Sequence, residues 1–243
     1  MNKPIPLLHI EEAYPCTIVE RINRFTVLIK HDNKCHTAWI NNTGRLEEYM
    51  RKGIGGFCIP NKGKNKYRLF AVKPNLDNNG YASVIDTLLQ MKSFERCIEE
   101  KLLPYFQECW IEKRNPQLYN SYVDYLLRCN NKNIYVEIKS AALQKENHAM
   151  YPDCPSIRGE RHIEELIRYA RNNGESSLLF IAALPWIKSF KPFKEGDSRI
   201  YTLIHQAYRN GVKIRAIQIA YDISKSTIIL LDNNLPVILP EVE

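Results

Sequence analysis

Asp124, Glu137 and Lys139 are the residues of this chain whose types and spacing could do chemistry. They lie in two stretches rich in β-forming residues, 121–128 (SYVDYLLR) and 134–140 (IYVEIKS), separated by Asn130, Asn131, Lys132 and Asn133. Asparagine tolerates the backbone of a tight turn, so the pattern predicts a β-hairpin. A turn centred between Asn131 and Lys132 sets Asp124 opposite Lys139, with Glu137 as its diagonal neighbour. Side chains alternate along a strand, which puts Tyr135, Glu137 and Lys139 on one face and Ile134, Val136 and Ile138 on the other. Two neighbouring carboxylates repel, and a hard divalent cation between them, Mg2+ or Mn2+, makes the arrangement favourable. That ion would polarise a phosphate and lower the pKa of a bound water, with the lysine orienting the nucleophile. These are the parts for phosphodiester hydrolysis. A cross-strand salt bridge on a solvated face uses the same residue types, and spacing alone leaves that alternative open.

Cations suited to a polyanion occur in two places. Arg158 and His162 are four apart at the start of a predicted helix, so they share a face and point toward the same neighbour. The alternative is a helix capped by Ser156, with a surface contact between His162 and Glu165. Nearer the N-terminus, Lys62, Lys64, Lys66 and Arg68 alternate as they would along one face of a strand, a stripe able to track a nucleic-acid backbone or to guard an exposed sheet edge. Arg21, Arg24 and Arg45 are further candidates for that surface. Trp39 and Tyr67 could stack on bases or fill a core. His31, His36, His148 and His205 have no metal-ligand spacing, and Asp197 reads as a helix N-cap.

The elements that must position these residues follow from periodicity. Short strands are predicted at 16–21, 24–31, 34–41, 54–60, 65–73 and 81–86, with a helical stretch over Arg45–Arg51. Several short strands around one small helix indicate an OB-like β-barrel over residues 1–86. From 87 to 107 the pattern becomes helical. Strands near 108–113, 121–128, 134–140, 178–184, 212–220 and 226–231 then interleave with helices near 158–172 and 198–210, an α+β or α/β layer domain over residues 87–243. Gly174 and Gly211 stand where left-handed C-caps are wanted.

Composition narrows the class. With 243 residues, 44% hydrophobic and 25% charged, the chain has enough material for one large core or two modest ones. No run is apolar enough to span a bilayer, and the N-terminus lacks a secretory pattern, so a cytoplasmic protein without membrane association is expected. Seven cysteines, none in a C-x-x-C pair, argue against zinc and for reduced thiols. Net charge is +7, and residues 1–90 hold 13 Lys and Arg against 8 Asp and Glu. A cationic excess on one domain is the footprint of a polyanion partner.

Two further stretches give the hairpin a context. Residues 151–162 (YPDCPSIRGERH) lead into 163–166 (IEEL), and 21–25 (RINRF) precedes 42–45 (NTGR) by a strand pair. Together with the Asp124, Glu137 and Lys139 hairpin, in order and at compatible spacing over essentially the whole chain, they resemble the sugar fermentation stimulation protein A (SfsA) family. The resemblance implies an OB-like barrel followed by a PD-(D/E)XK nuclease-like mixed sheet flanked by helices. It implies DNA as partner, bound with little sequence preference, and a link to sugar metabolism. Carried over by position, Asp124, Glu137 and Lys139 match the catalytic motif, with Asp124 and Glu137 as metal ligands. Glu112 matches the upstream acidic position, and Arg158 and His162 flank the metal site. Tyr122 stands where the family commonly has arginine, and residues 89–91 (LQM) also depart from its pattern. A Mg2+- or Mn2+-dependent nuclease and a DNA-binding regulator that does not cleave are the competing functions. An OB-type module for some other anionic partner is a third, and a homodimer is compatible with any of them.

Overall fold

The computed structural model describes residues 3–73, 80–130 and 132–239. The chain divides into two compact units, one made of residues 1–93, 183–185 and 219–231, the other of 94–182, 186–218 and 232–243.

The first unit is built on β1 (Ile5–His9), β2 (Tyr14–Asn23), β3 (Thr26–His31), β4 (Lys34–Trp39), β5 (Gly55–Pro60), β6 (Tyr67–Lys73) and β7 (Tyr81–Val84). Strands β2, β3 and β4 form an antiparallel meander, β5 pairs with β2, β6 pairs with β5, and β4 closes the ring against β6 in parallel. This is the five-stranded order of an OB barrel. Alternation supplies its core: Val27 and Ile29 on β3, Ile18 on β2, and Leu69 and Ala71 on β6 are buried inward. Asp32 and Asn33 both take positive φ, 48° and 60°, in the tight turn joining β3 to β4. Gly56 sits in close approach to β6, since a Cβ there would lie 2.9 Å from Leu69 Cδ1 and 3.2 Å from the Ala71 carbonyl oxygen. The helix expected over Arg45–Arg51 is one turn only, with the Tyr49 and Met50 N–H groups both donating to the Leu46 carbonyl.

Helix α1 (Thr87–Glu99) follows, its first turn capped by Asp86, whose carboxylate accepts from Leu89 N at 2.9 Å. The second unit then adds β8 (Cys109–Arg114), β9 (Gln117–Leu118), β10 (Ser121–Tyr122), β11 (Tyr125–Cys129), β12 (Lys132–Ser140), β13 (Leu143–Lys145) and β14 (His148–Tyr151). Beyond them come α2 (Ile157–Arg171), β15 (Glu175–Ala182), β16 (Ser189–Pro192), α3 (Ser198–Arg209) and β17 (Lys213–Asp222), which from residue 219 on belongs to the first unit, as does β18 (Thr227–Asp232) up to residue 231. Strands β12, β15 and β17 run parallel, and β11 and β8 extend the sheet antiparallel. The mostly apolar β15 and β17 are buried along nearly their whole lengths, as parallel strands covered on both faces must be. Phe94 of α1 packs 5.1 Å from the Tyr125 ring on one face, and Tyr169 of α2 packs 4.9 Å from Tyr135 on the other. A small sheet of β13, β14 and β16 and the β9–β10 hairpin complete the unit.

Several expectations shift. Strand β1, which pairs with β18, is absent from the periodicity reading, as are β13, β14 and β16; three to five residues carry too little pattern to register. Cys109 and Cys129, directly opposite on β8 and β11, form a disulfide, so the expectation of seven reduced thiols is corrected to five. The left-handed residue after α2 is Asn173, at φ 61°, while Gly174 is needed because a Cβ there would strike the Tyr169 ring at 2.3 Å. Among the described residues no helix is long and apolar enough to cross a membrane.

Candidate active site

The hairpin that carries the carboxylates differs from the expected one by two residues. Tyr125 pairs with Val136 and Cys129 with Lys132, which moves the turn toward Asn130 and Asn131, the latter outside the described residues. A two-residue shift preserves the face of every side chain, so Glu137 and Lys139 still point together. The first strand also stops early. Val123 and Asp124 leave the ladder, and the Asp124 carboxylate takes over a backbone role: its Oδ2 accepts from Ile138 N at 2.7 Å. Asp124 is thus anchored between Glu137 and Lys139 by the chain itself.

Glu137 is the hub. Its Oε1 accepts from Lys139 Nζ at 2.6 Å and from His162 Nδ1 at 2.6 Å. Its Oε2 is buried and has no hydrogen-bond partner among the described residues. A carboxylate oxygen sealed from water costs free energy unless something satisfies it. His162 comes from α2, which begins at Ile157 because Ser156 caps it, the serine Oγ accepting from Gly159 N at 3.0 Å. One helical turn separates Arg158 from His162, and Arg158 Nε donates to His162 Nε2 at 3.4 Å. A guanidinium can only donate, so His162 Nε2 is the acceptor and Nδ1–H points at Glu137. The result is a row of side chains, Arg158 to His162 to Glu137 to Lys139.

Electrostatics divides the two carboxylates. Burial raises Asp124, the charge of Glu137 raises it further, and the pKa reaches about 7 despite the Ile138 N–H, Lys139 and Arg158. Burial also works against the charged form of Glu137, but Lys139 and His162 outweigh it and hold that carboxyl below its ordinary value. Lys139 is penalised by burial yet raised overall by Glu137, so it stays an ammonium. Around neutral pH one carboxylate is firmly ionised and its neighbour is close to changing state.

Among the described residues no cluster of three or more His, Cys, Asp and Glu is assembled for a metal. Two carboxylates and an unsatisfied buried oxygen remain, an all-oxygen donor set that suits a hard cation better than a soft one. Glu112 does not join them. It lies on β8 at a bulge in the pairing with β11, exposed, and accepts from Trp110 Nε1 at 3.1 Å. His162 is buried with both ring nitrogens engaged, so it orients Glu137 and is not free for a phosphate. One residue of the neighbourhood is absent from the candidates read from the sequence. Tyr151 ends β14, its phenol buried and in the field of Lys139; burial raises its pKa, which Lys139 opposes. Gly159 leaves room for it, since a Cβ there would sit 3.2 Å from Tyr151 Oη. The available signal was the tyrosine's place at the head of the 151–162 stretch.

The nominated barrel cations separate into two groups. Arg21 donates to the carbonyls of Asn23 at 3.2 Å, Arg24 at 3.1 Å, Gly44 at 2.8 Å and Arg45, which ties two loops together. Arg68 Nε pairs with buried Asp86 at 2.9 Å. Both are structural. Arg24, Arg45, Lys62, Lys64 and Lys66 are exposed. Because β6 begins at Tyr67, the three lysines occupy the preceding loop rather than a strand face. Tyr67 itself is buried beside Tyr14, His31 and His36, and Trp39 is half-buried.

A closed five-stranded barrel in one unit, and a mixed sheet flanked by helices that carries Asp124, Glu137 and Lys139 in the other, define a chain with an OB domain followed by an α/β domain. Family models agree in both parts: an SfsA N-terminal OB domain matches residues 19–84, and the sugar fermentation stimulation protein RE domain matches residues 88–225. The chain belongs to the sugar fermentation stimulation protein family. A relative from Pyrococcus furiosus, described as a sugar fermentation stimulation protein homolog, is 43% identical over 219 residues, covering 90% of this chain and 94% of the relative. Another from Archaeoglobus fulgidus is 41% identical over 219 residues, 88% of this chain and 92% of its own. The solved structure of Pyrococcus furiosus SfsA in complex with Ca2+ superposes with a TM-score of 0.91 at 41% identity, over 96% of this chain and 99% of that one.

Proposed function

We propose that this chain is a Mg2+- or Mn2+-dependent nuclease that hydrolyses phosphodiester bonds of DNA. The observation that carries the reading is the Oε2 of Glu137, unsatisfied among the described residues and sealed beside an Asp124 carboxyl that burial, and then the charge of Glu137, push up. A divalent cation held by Asp124 and Glu137 would satisfy the first and ionise the second. Ca2+ in a relative's structure is of the same oxygen-seeking class. When bound, such an ion polarises the scissile phosphate and acidifies a water.

The chain's own residues supply the rest. Lys139 presents its ammonium to the attacking oxygen and keeps Glu137 ionised. His162 fixes the Glu137 rotamer through Nδ1–H. Arg158 engages His162 through Nε only, which leaves its terminal nitrogens for a phosphate oxygen, and charge-assisted bonds of that kind are strong. Cytoplasmic DNA is the expected substrate, with the barrel supplying sequence-independent attraction through its exposed cations.

Incubation with plasmid and single-stranded DNA, with Mg2+, Mn2+ or a chelator, tests the reading. Metal-dependent cleavage is expected. Retention of DNA without cleavage under every condition would favour the second reading, a regulator that binds and does not cut, to which the exclusion of Glu112 from the cluster lends support.

A further inference from the structure

The turn between β2 and β3 exposes two large apolar side chains, Ile22 and Phe25, each 51% accessible. Isolated exposed apolar residues are ordinary, but these are held in place by a dedicated set of bonds. The Phe25 N–H donates to Asn23 Oδ1 at 2.8 Å, and its carbonyl accepts from Ile40 N at 2.9 Å. Arg21 binds the carbonyls of Asn23 and Arg24 on this turn and those of Gly44 and Arg45 on the neighbouring loop. Asn42 Oδ1 accepts from Gly44 N at 3.0 Å and steadies that second loop. This set of surface hydrogen bonds therefore presents an aromatic ring, an aliphatic neighbour and the exposed arginines 24 and 45 on one surface. Glu20, Glu47 and Glu48 are the acids nearest in sequence, and none forms a salt bridge with Arg24 or Arg45.

The chemistry of this surface selects its occupant. Two guanidinium groups with no salt bridge among the described residues, on a part of the chain with 13 cations against 8 anions, favour a polyanion. Phe25 has no polar atom with which to read a base edge, and a paired duplex hides its ring faces. An unpaired base offers a ring face of matching size. We propose that Phe25, flanked by Ile22, stacks on a base of single-stranded DNA while Arg24 and Arg45 bind the adjacent phosphates, with Arg21 as the positioning residue. The inference deepens the proposed action on DNA and rests on it.

The test uses the full chain and a short single-stranded oligonucleotide with a central 2-aminopurine, beside a perfect duplex of the same sequence. Wild type should quench the fluorophore in the single strand. Phe25→Ala and Phe25→Leu should abolish the quenching and weaken single-strand affinity about tenfold. Neither should alter the salt dependence, and duplex affinity should hardly change. Arg24→Gln with Arg45→Gln should flatten the single-strand salt slope by roughly 0.7 for each arginine lost. Thermal melts should match wild type, because all three substituted side chains face solvent. Wild-type quenching and affinity in both Phe25 variants would overturn the stacking role, as would equal losses on duplex and single strand. Metal binding at Asp124 and Glu137, read by calorimetry without DNA, reports separately on the nuclease site.

Discussion

In the second unit the charged groups of the candidate site are buried and committed to one another: Glu137, with 2% of its surface accessible, holds Lys139 and His162, and Asp124 lies in the field of Glu137, Lys139 and Arg158. In the barrel, Arg24, Arg45, Lys64 and Lys66 stand in solvent, and the cations that are bonded, Arg21 and Arg68, serve the fold. Burial makes the first group sensitive to a single proton or ion. Exposure makes the second act at a distance and yield to salt. On the proposed function, the same residue types would do chemistry in one unit and attraction in the other.

The sharpest way to break this comparison is Lys139→Ala. If the buried group does the chemistry, cleavage should fall by about 10² or more while DNA affinity stays within a few-fold, measured by single-turnover cleavage beside a binding titration. Equal losses in both would mean that Lys139 merely attracts DNA. Next comes Arg68→Ala, which leaves Asp86 buried with only its bonds from Asn41 and Leu89 N. Stability should drop by about 2 kcal/mol in a denaturant titration, with the salt slope of DNA binding unchanged.

A subtler effect concerns Asp124 in metal-free protein. Its folded pKa of about 7 lies above the ordinary aspartate value, so the folded chain holds that proton more tightly than the unfolded chain. Stability conferred by the proton is present at low pH and lost as pH rises toward 7. Asp124→Asn keeps an acceptor for Ile138 N and removes the charge. It should raise the melting temperature by a few degrees at pH 8 and by nothing at pH 4. The smallest effect is expected from Lys64→Ala with Lys66→Ala: unaltered melting and a DNA salt slope reduced by about one per lysine that contacts a phosphate.

How far residues alone reveal such a molecule depends on what fixes them. Glu137 and Lys139 were legible because strand alternation puts them on one face whatever the register, and Ser156 and Asp197 because a helix start demands an acceptor for its free N–H groups. The register was not legible: Asp124 leaves its strand to bind a backbone N–H, a choice that depends on the space around it. Arg21 and Arg68 were misread as free cations for a related reason. A guanidinium serves a carbonyl or a buried carboxylate as readily as a phosphate, and only the fold brings the Gly44 carbonyl or Asp86 within reach. Tyr151 and the Cys109–Cys129 bridge depend likewise on strands meeting across long stretches of chain.

The central claim is that Asp124 and Glu137 hold a divalent cation, and titration calorimetry with Mn2+ on wild type, Asp124→Asn and Glu137→Gln tests it most directly. Saturable binding near one ion per wild-type chain, weakened at least tenfold in each variant, is the predicted result. Wild type binding no ion, or all three proteins binding it equally well, would contradict the account.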